Sequence, residues 1–306
     1  MALLQYLSDP FMKALKAMNQ ISSGQTSLSE EDLKRQRSSM ELASHLATPP
    51  LGITSEKFSV GSISAEWIRP DFAHDPTHVI LYCHGGGYTC GGLSYAGILA
   101  SKLALHTGMD VLSFAYRLAP EDPYPAAFED GLTMWNHLMY QGFGASQVFL
   151  AGDSAGGNMA LVMTQTLLEQ KRQTPRALLL FSPWTDMTVT ADSYQEHKED
   201  DPILSYDYII SVRNAYAGDA DVSDPQFSPL FGEFHDFPPT LIQVGEYEIL
   251  QDDSTRLAEK IEQANGRVTI QTYEGGWHVF QQMPIPMASQ AMKDVGEYVQ
   301  AIRYKG

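Results

Sequence analysis

The stretch Gly152-Asp153-Ser154-Ala155-Gly156-Gly157 follows the apolar run Val148-Phe149-Leu150 and precedes a helix-like stretch that begins at Asn158. The order G-x-S-x-G between a strand and a helix is typical of a nucleophile elbow, a tight turn that holds a serine hydroxyl clear of the backbone. Glycines are needed on both sides because side chains there would collide with the neighbouring strand and helix. The helix N-terminus also favours negative charge beside Ser154. The pattern alone equally fits a glycine-rich turn without chemistry, so the rest of the chain has to decide.

Short apolar stretches alternate with longer helical stretches through most of the sequence. Strands are predicted at residues 58–60, 65–68, 79–83, 111–115, 148–150, 177–181, 241–244 and 268–273. Helices are predicted at residues 96–106, 126–140, 155–169, 206–216, 252–264 and 287–302. The alternation favours an α/β fold whose mostly parallel, eight-stranded sheet is covered by helices on both faces.

Two segments depart from this alternation. Residues 1–50 contain no predicted strand, and Ser29-Glu30-Glu31-Asp32 is a capping signal for the second of two predicted helices. Between residues 183 and 239 there is again no convincing strand. We therefore expect an N-terminal helical cap segment over residues 1–50 and a catalytic domain over residues 51–306. A second cap insertion, at about residues 185–220, is expected over the C-terminal edge of the sheet, where such folds place their ligands.

A second glycine loop, His84-Gly85-Gly86-Gly87-Tyr88, follows the predicted strand at residues 79–83. Its backbone N–H groups can converge on a negatively charged oxygen, as an oxyanion hole requires. In the α/β-hydrolase architecture this loop shares the oxyanion with the N–H that follows the nucleophile, here that of Ala155. A phosphate-binding loop is disfavoured because the Lys-Ser/Thr pair of a P-loop and the acidic residue of a dinucleotide fold are missing.

A serine nucleophile needs a general base, and the sequence has nine histidines. His278 lies in the glycine loop after the last predicted strand and satisfies the chain order Ser, acid, His. His84 precedes the nucleophile in the chain and is expected to order its own loop.

The acid is expected after the strand at residues 241–244. The candidates are Glu246, Glu248, Asp252 and Asp253, of which the two aspartates also suit the first turn of the next helix.

Three motifs together carry a family resemblance: His84-Gly85-Gly86-Gly87-Tyr88, Tyr116-Arg117-Leu118-Ala119-Pro120-Glu121 and the elbow itself. With them the chain resembles the hormone-sensitive-lipase group of carboxylesterases, over about residues 50–306. The resemblance implies an α/β-hydrolase fold with a helical cap. The acid of that group stands in a D-x-L triplet, which matches Glu248-Ile249-Leu250 here, with Glu in place of Asp.

The resemblance also implies roles for particular residues. It predicts the triad Ser154, Glu248 and His278. It predicts oxyanion donors among Gly85, Gly86 and Gly87, with Gly86 and Gly87 favoured, together with Ala155.

Composition limits the partners. The chain has 20 Lys and Arg against 37 Asp and Glu, a net charge of −17, which argues against nucleic acid or an anionic membrane surface. No run approaches the length of a membrane span, and we expect no signal peptide. The two cysteines, Cys83 and Cys90, are typical of reduced thiols in a cytoplasmic protein, without metal-ligand spacing. A homodimer is left open.

The function expected from these features is hydrolysis of small, short-acyl esters through an acyl-enzyme, with no metal or cofactor. Two other functions stay open. An amidase or carbamate hydrolase would use the same triad. A non-catalytic ligand receptor on this scaffold would be expected to lack a triad member, whereas all three are available here.

Overall fold

The structure is a computed structural model that describes residues 27–46 and 50–303. Eight strands form one sheet in the order β1-β2-β4-β3-β5-β6-β7-β8. Strand β2 runs antiparallel to β1 and β4, and the remaining neighbours are parallel. The strands are β1 Ile53–Val60, β2 Ile63–Pro70, β3 Asp75–Cys83, β4 Met109–Ala115, β5 Val148–Asp153, β6 Ala177–Phe181, β7 Thr240–Gly245 and β8 Val268–Tyr273.

The α-helices, numbered within the described residues, connect and cover these strands. They are α1 Glu30–Leu46, α2 Leu93–Thr107, α3 Ala126–Tyr140, α4 Ala155–Glu169, α5 Ser193–Glu196, α6 Tyr206–Ala217, α7 Gln251–Gln263 and α8 Pro286–Arg303. The α/β-hydrolase topology expected from the sequence is confirmed.

Alternate residues of the central strands point to opposite faces of the sheet, and each face has its own core. In β3, Val79 and Leu81 belong to the core that includes residues of α3, α4 and α7. Ile80 and Tyr82 belong to the core that includes residues of α2 and α8. Burial on both faces explains why these strands are continuously apolar.

Helix predictions are confirmed closely, and strand predictions are confirmed with shifted ends. The predicted bounds of α3 and α4 are those observed. Strand β5 continues to Asp153, three residues past its apolar run, because Gly152 and Asp153 still pair with β6. The apolar run therefore predicts too short a strand, because the backbone pairing of β5 continues up to the elbow.

The N-terminal segment is described only in part. The second predicted helix is α1, and Ser29 Oγ accepts a hydrogen bond from the Asp32 N–H at 3.1 Å, as a capping residue does. The first predicted helix lies outside the described residues.

The interval between β6 and β7 contains no strand, as expected, and holds α5 and α6. Helix α6 lies against the glycine loop after β3: a Cβ built on Gly87 would lie 3.1 Å from Tyr208 Oη and from the Val212 side chain. This contact places α6 beside the C-terminal edge of the sheet, where the elbow is. The division into two cap segments and one catalytic domain stays a prediction.

Candidate active site

Ser154 occupies a strained turn between β5 and α4. Its φ of 54° and ψ of −120° lie in a region that a non-glycine residue rarely adopts. A Cβ on Gly152 would lie 2.2 Å from the Gly156 carbonyl oxygen, and one on Gly156 would lie 2.0 Å from the Cys83 carbonyl oxygen. Only glycine fits at both positions, so the backbone of β3, β5 and α4 converges on this turn as the motif predicts.

His278 and Glu248 are hydrogen-bonded to each other at the same edge of the sheet. His278 Nδ1 lies 2.9 Å from Glu248 Oε2, and the side chains are 5% and 0% exposed. The other oxygen, Glu248 Oε1, accepts hydrogen bonds from Ser182 Oγ at 2.8 Å and from the Gly245 N–H. The carboxylate is therefore held by three groups and oriented toward the imidazole.

The surroundings of His278 change its pKa in opposite directions. Burial by itself lowers the pKa, but the hydrogen bond and charge of Glu248, followed by the charges of Asp201 and Asp153, outweigh burial and raise it. The site thus stabilises the imidazolium, which is the form that a base takes after it accepts a proton.

The other acid candidates are engaged elsewhere. Glu246 Oε2 accepts a hydrogen bond from the Gly275 N–H at 2.9 Å. Asp252 Oδ2 accepts from the Ser193 N–H at 3.0 Å. Asp253 Oδ2 accepts from the N–H groups of Thr185 and Asp186. Of the four carboxylates considered from the sequence, it is Glu248 that bonds to His278.

Gly85 differs from the other oxyanion candidates. Its N–H donates to Asp153 Oδ1 at 2.8 Å, so it is not available to a developing oxyanion. This corrects the inclusion of Gly85 among the donors, because the buried Asp153 carboxylate takes that hydrogen.

The other expected donors are Gly86, Gly87 and Ala155. Within the described residues, the N–H groups of Gly86, Gly87 and Ala155 donate to no protein acceptor. Gly86 and Gly87 have φ values of 110° and 60°, which glycine adopts without strain. The Ala155 N–H belongs to the first turn of α4, where no carbonyl of the same helix can pair with it.

His84 lies beneath the glycine loop and orders it, as expected. Its Nδ1 lies 2.7 Å from the Gly85 carbonyl oxygen, and its ring stacks on Tyr116 at 4.1 Å between centroids. Burial lowers the pKa of His84 to about 4, so the ring is neutral near pH 7. The buried surroundings of His84 thus disfavour the imidazolium that a general base has to form.

Only part of the Tyr116 to Glu121 motif supports the elbow region. Tyr116 Oη donates to the His84 carbonyl at 2.8 Å. Arg117 instead pairs with Asp130 of α3, and Glu121 pairs with Arg37 of α1. Both charges therefore join helices to the fold and not to the elbow.

Sequence reasoning did not predict the contacts by which three further residues support the site. Ser182 Oγ donates to Glu248 and accepts from the Val279 N–H at 3.1 Å. Asp201 accepts from the Ile249 N–H at 3.0 Å, and Arg37 donates to the Thr89 carbonyl at 2.8 Å. The position of Ser182 directly after β6, at the edge where ligands bind, was a usable signal. The other two contacts have no local signature.

The described residues contain no cluster of three or more His, Cys, Asp and Glu side chains suited to a metal ion. In the same part of the chain no helix is both long enough and apolar enough to cross a membrane. Cys83 and Cys90 are free and buried.

Comparisons with known proteins identify the family of the chain. Residues 80–282 match the model of a family described as having the alpha/beta hydrolase fold, and the chain belongs to that family. An esterase of Acinetobacter venetianus is 37% identical over 229 residues, 74% of this chain and 76% of the relative. An acetyl-hydrolase of Streptomyces hygroscopicus is 32% identical over 268 residues, 87% and 88% of the two chains.

A solved structure places the chain more narrowly. An esterase from the bacterial hormone-sensitive lipase family superposes with a TM-score of 0.87 at 28% identity, covering 98% of both chains. Within the α/β-hydrolases, the chain is a member of the hormone-sensitive-lipase group.

Proposed function

We propose that this protein is a serine carboxylesterase that hydrolyses short-acyl esters through an acyl-enzyme. The broader class, a carboxylic ester hydrolase, follows from the family and from the relatives named above. The triad, the intermediate and the substrate range are the proposal.

Each reacting group has an assigned role. Ser154 Oγ attacks the ester carbonyl carbon while His278 Nε2 accepts the serine proton, and the carbonyl oxygen becomes an oxyanion. The N–H groups of Gly86, Gly87 and Ala155 stabilise that charge. Collapse of the tetrahedral intermediate breaks the ester C–O bond, and His278 returns its proton to the leaving alkoxide. Water then attacks the acyl-serine by the same route and releases the acid.

The observation that carries the proposal is the hydrogen bond between Glu248 Oε2 and His278 Nδ1 at 2.9 Å. A carboxylate at Nδ1 fixes the tautomer in which Nε2 is free to accept a proton. The strained backbone of Ser154 supports the same assignment, since strain of this kind is kept where function requires it.

Two observations support small acyl groups. Helix α6 lies against the glycine loop, with Tyr208 and Val212 at Gly87, and so limits the space beside the proposed oxyanion hole. One relative is an acetyl-hydrolase, with 88% of its length matched by this chain. We expect turnover to decrease along a series of p-nitrophenyl esters from butyrate to laurate.

The direct test is Ser154→Ala with p-nitrophenyl acetate and butyrate. Loss of the nucleophile should lower kcat by about 10³-fold or more. The matched control is Ser146→Ala, an exposed serine just before the opposite end of β5, which should leave kcat unchanged. A Ser154→Ala enzyme with wild-type turnover would refute the proposal.

Experiments on the wild-type protein distinguish the esterase from the two alternative functions. A fluorophosphonate probe should label Ser154, and absence of labelling together with absence of turnover would favour a ligand receptor. Faster hydrolysis of a p-nitroanilide than of the matched p-nitrophenyl ester would favour an amidase. The cytoplasmic location stays a prediction that cell fractionation can test. The homodimer stays a prediction that light scattering can test.

A further inference from the structure

Asp201 is a buried carboxylate that the proposed mechanism does not use. It lies between α5 and α6 in the interval that separates β6 from β7, and it is 2% exposed. Oδ1 accepts hydrogen bonds from the N–H groups of Ile203 and Leu204 at 2.8 and 3.0 Å. Oδ2 accepts from the Ile249 N–H at 3.0 Å. A buried carboxylate that accepts hydrogen bonds from three backbone N–H groups is held rigidly in one orientation.

The contact with Ile249 connects the insertion to the proposed triad acid. Ile249 directly follows Glu248, so Asp201 holds the peptide group that joins the acid to Ile249, from a position 48 residues before Ile249. The Glu248 side chain is held separately, by Ser182 Oγ and by the Gly245 N–H. Backbone and side chain of the acid are thus fixed by different parts of the protein.

Asp201 also acts on His278 through its charge. The groups whose charges face His278 are Glu248 from the loop after β7, Asp153 from the end of β5, and Asp201 from the insertion. Burial raises the pKa of Asp201 to about 6, against the effect of His278 and with a smaller contribution from Glu248. Asp201 is therefore largely ionised at neutral pH, and its negative charge adds to that of Glu248 beside His278.

We propose that Asp201 is a positioning residue for the triad, which holds the Glu248 turn in register with His278 and stabilises the imidazolium formed during acyl transfer. The inference rests on the proposed function, since it assumes His278 as the base. It assigns the second cap insertion a part in the acid–base chemistry in addition to its place over the glycine loop. Loss of the Asp201 charge then affects proton transfer more than substrate binding.

The charge is tested without turnover, in the Ser154→Ala background. The pKa of His278 is read there from the pH dependence of its imidazole NMR resonances. Asp201→Asn should lower that pKa by about half a unit or more, because a negative charge facing the imidazolium is removed. An unchanged pKa of His278 would overturn the inference.

Asp253→Asn is the matched control. Asp253 is also fully buried and also accepts backbone N–H hydrogen bonds, from Thr185 and Asp186. This variant should leave the pKa of His278 unchanged. An equal decrease in the control would also overturn the inference, because any lost buried carboxylate would then have the same effect.

Kinetics with Ser154 intact test the positioning role. Asp201→Asn should lower kcat about tenfold with little change in KM, and should shift the acidic limb of kcat/KM to lower pH. A decrease in kcat without that shift would make Asp201 a structural residue only. If thermal unfolding shows that the Asn variant is not folded, Asp201→Ser, which is smaller and keeps one acceptor oxygen, takes its place. Failure of the proposed function would be seen separately, as activity retained by Ser154→Ala.

Discussion

The loop after β3 and the loops after β7 and β8 lie on opposite sides of Ser154 and are held in place by different interactions. On the β3 side stacked rings support the loop: His84 stacks on Tyr116, and Tyr88 stacks on Tyr216 with centroids 3.8 Å apart. The Asp153 carboxylate also holds this loop, by accepting a hydrogen bond from the Gly85 N–H. On the β7 and β8 side the supports are buried carboxylates, those of Glu248 and Asp201.

The difference matches the two tasks proposed for these sides. An oxyanion hole needs donors that stay fixed while charge develops, and the stacked rings make the loop that carries Gly86 and Gly87 rigid. A general base needs its protonated form stabilised, and buried negative charge provides that stabilisation. Substitutions on the two sides should therefore differ in pH dependence as well as in size.

The largest effect is expected on the acid–base side, from Glu248→Gln. The amide cannot hold the Nδ1 tautomer as the carboxylate does, and kcat should decrease by about 10³- to 10⁴-fold. Glu246→Gln is the control, because Glu246 bonds to the Gly275 N–H and not to His278. The initial rate of p-nitrophenyl butyrate hydrolysis is measured for both variants. A greater loss of rate in Glu246→Gln would show that Glu246, and not Glu248, is the triad acid.

The next largest effect is expected on the oxyanion side, from Gly86→Ala. The new Cβ would lie 2.3 Å from the Cys90 carbonyl oxygen at a φ of 110°, so the loop has to move. Displacing a donor should lower kcat by about 10²- to 10³-fold without moving the acidic limb of the pH profile. Gly97→Ala in α2, where nothing lies within 4 Å of the added Cβ, should leave activity intact. A shifted acidic limb in Gly86→Ala would remove the distinction between the two sides.

A smaller effect is expected from pH itself. His278 must be neutral to accept a proton, so kcat/KM should decrease about tenfold per unit as pH falls below its pKa. Because that pKa is raised, the midpoint of the acidic limb should lie above the ordinary histidine value of 6.5. His84 contributes nothing here, since its pKa is lowered to about 4. A midpoint below 6.5 would contradict the buried-charge description of the β7 and β8 side.

The smallest effect is expected from Arg37→Gln, which loosens α1 from the glycine loop. Arg37 donates to the carbonyls of Thr89 and Ala119 and pairs with Glu121, whose side chain is 56% exposed. Exposed ion pairs contribute little, so kcat/KM should decrease only a few-fold. This decrease should be smaller at high salt, because salt already weakens the ion pair in the wild-type protein. Arg35→Gln on the same helix, where the partner is Asp32, should have no effect. Equal losses in the two variants would indicate a general effect on the helix.

Much of the site could be predicted from sequence because its requirements are local. The elbow needs glycines where Gly152 and Gly156 stand, since neighbouring backbone lies closer than a Cβ allows. The glycine loop and His278 each follow a strand, and parallel strands bring their C-terminal ends to one edge of the sheet. Chain order and strand pattern therefore sufficed to bring these residues together.

Chain order and strand pattern do not distinguish between neighbours in the chain, and the family triplet alone favours Glu248 over Glu246. Glu246 and Glu248 are two residues apart, yet one bonds to a backbone N–H and the other to His278. The Gly85 N–H could not be removed from the oxyanion donors until Asp153 was found to take it.

The residues that brace the site were the least predictable. Asp201 meets Ile249 across 48 residues, Arg37 meets Glu121 across 84, and Ser182 meets Val279 across 97. By itself the sequence determined which residue types stand at the edge of the sheet, because steric fit and strand order are encoded locally. The tertiary structure decided which hydrogen-bonding group each of them reaches, because that depends on the packing of segments far apart in the chain.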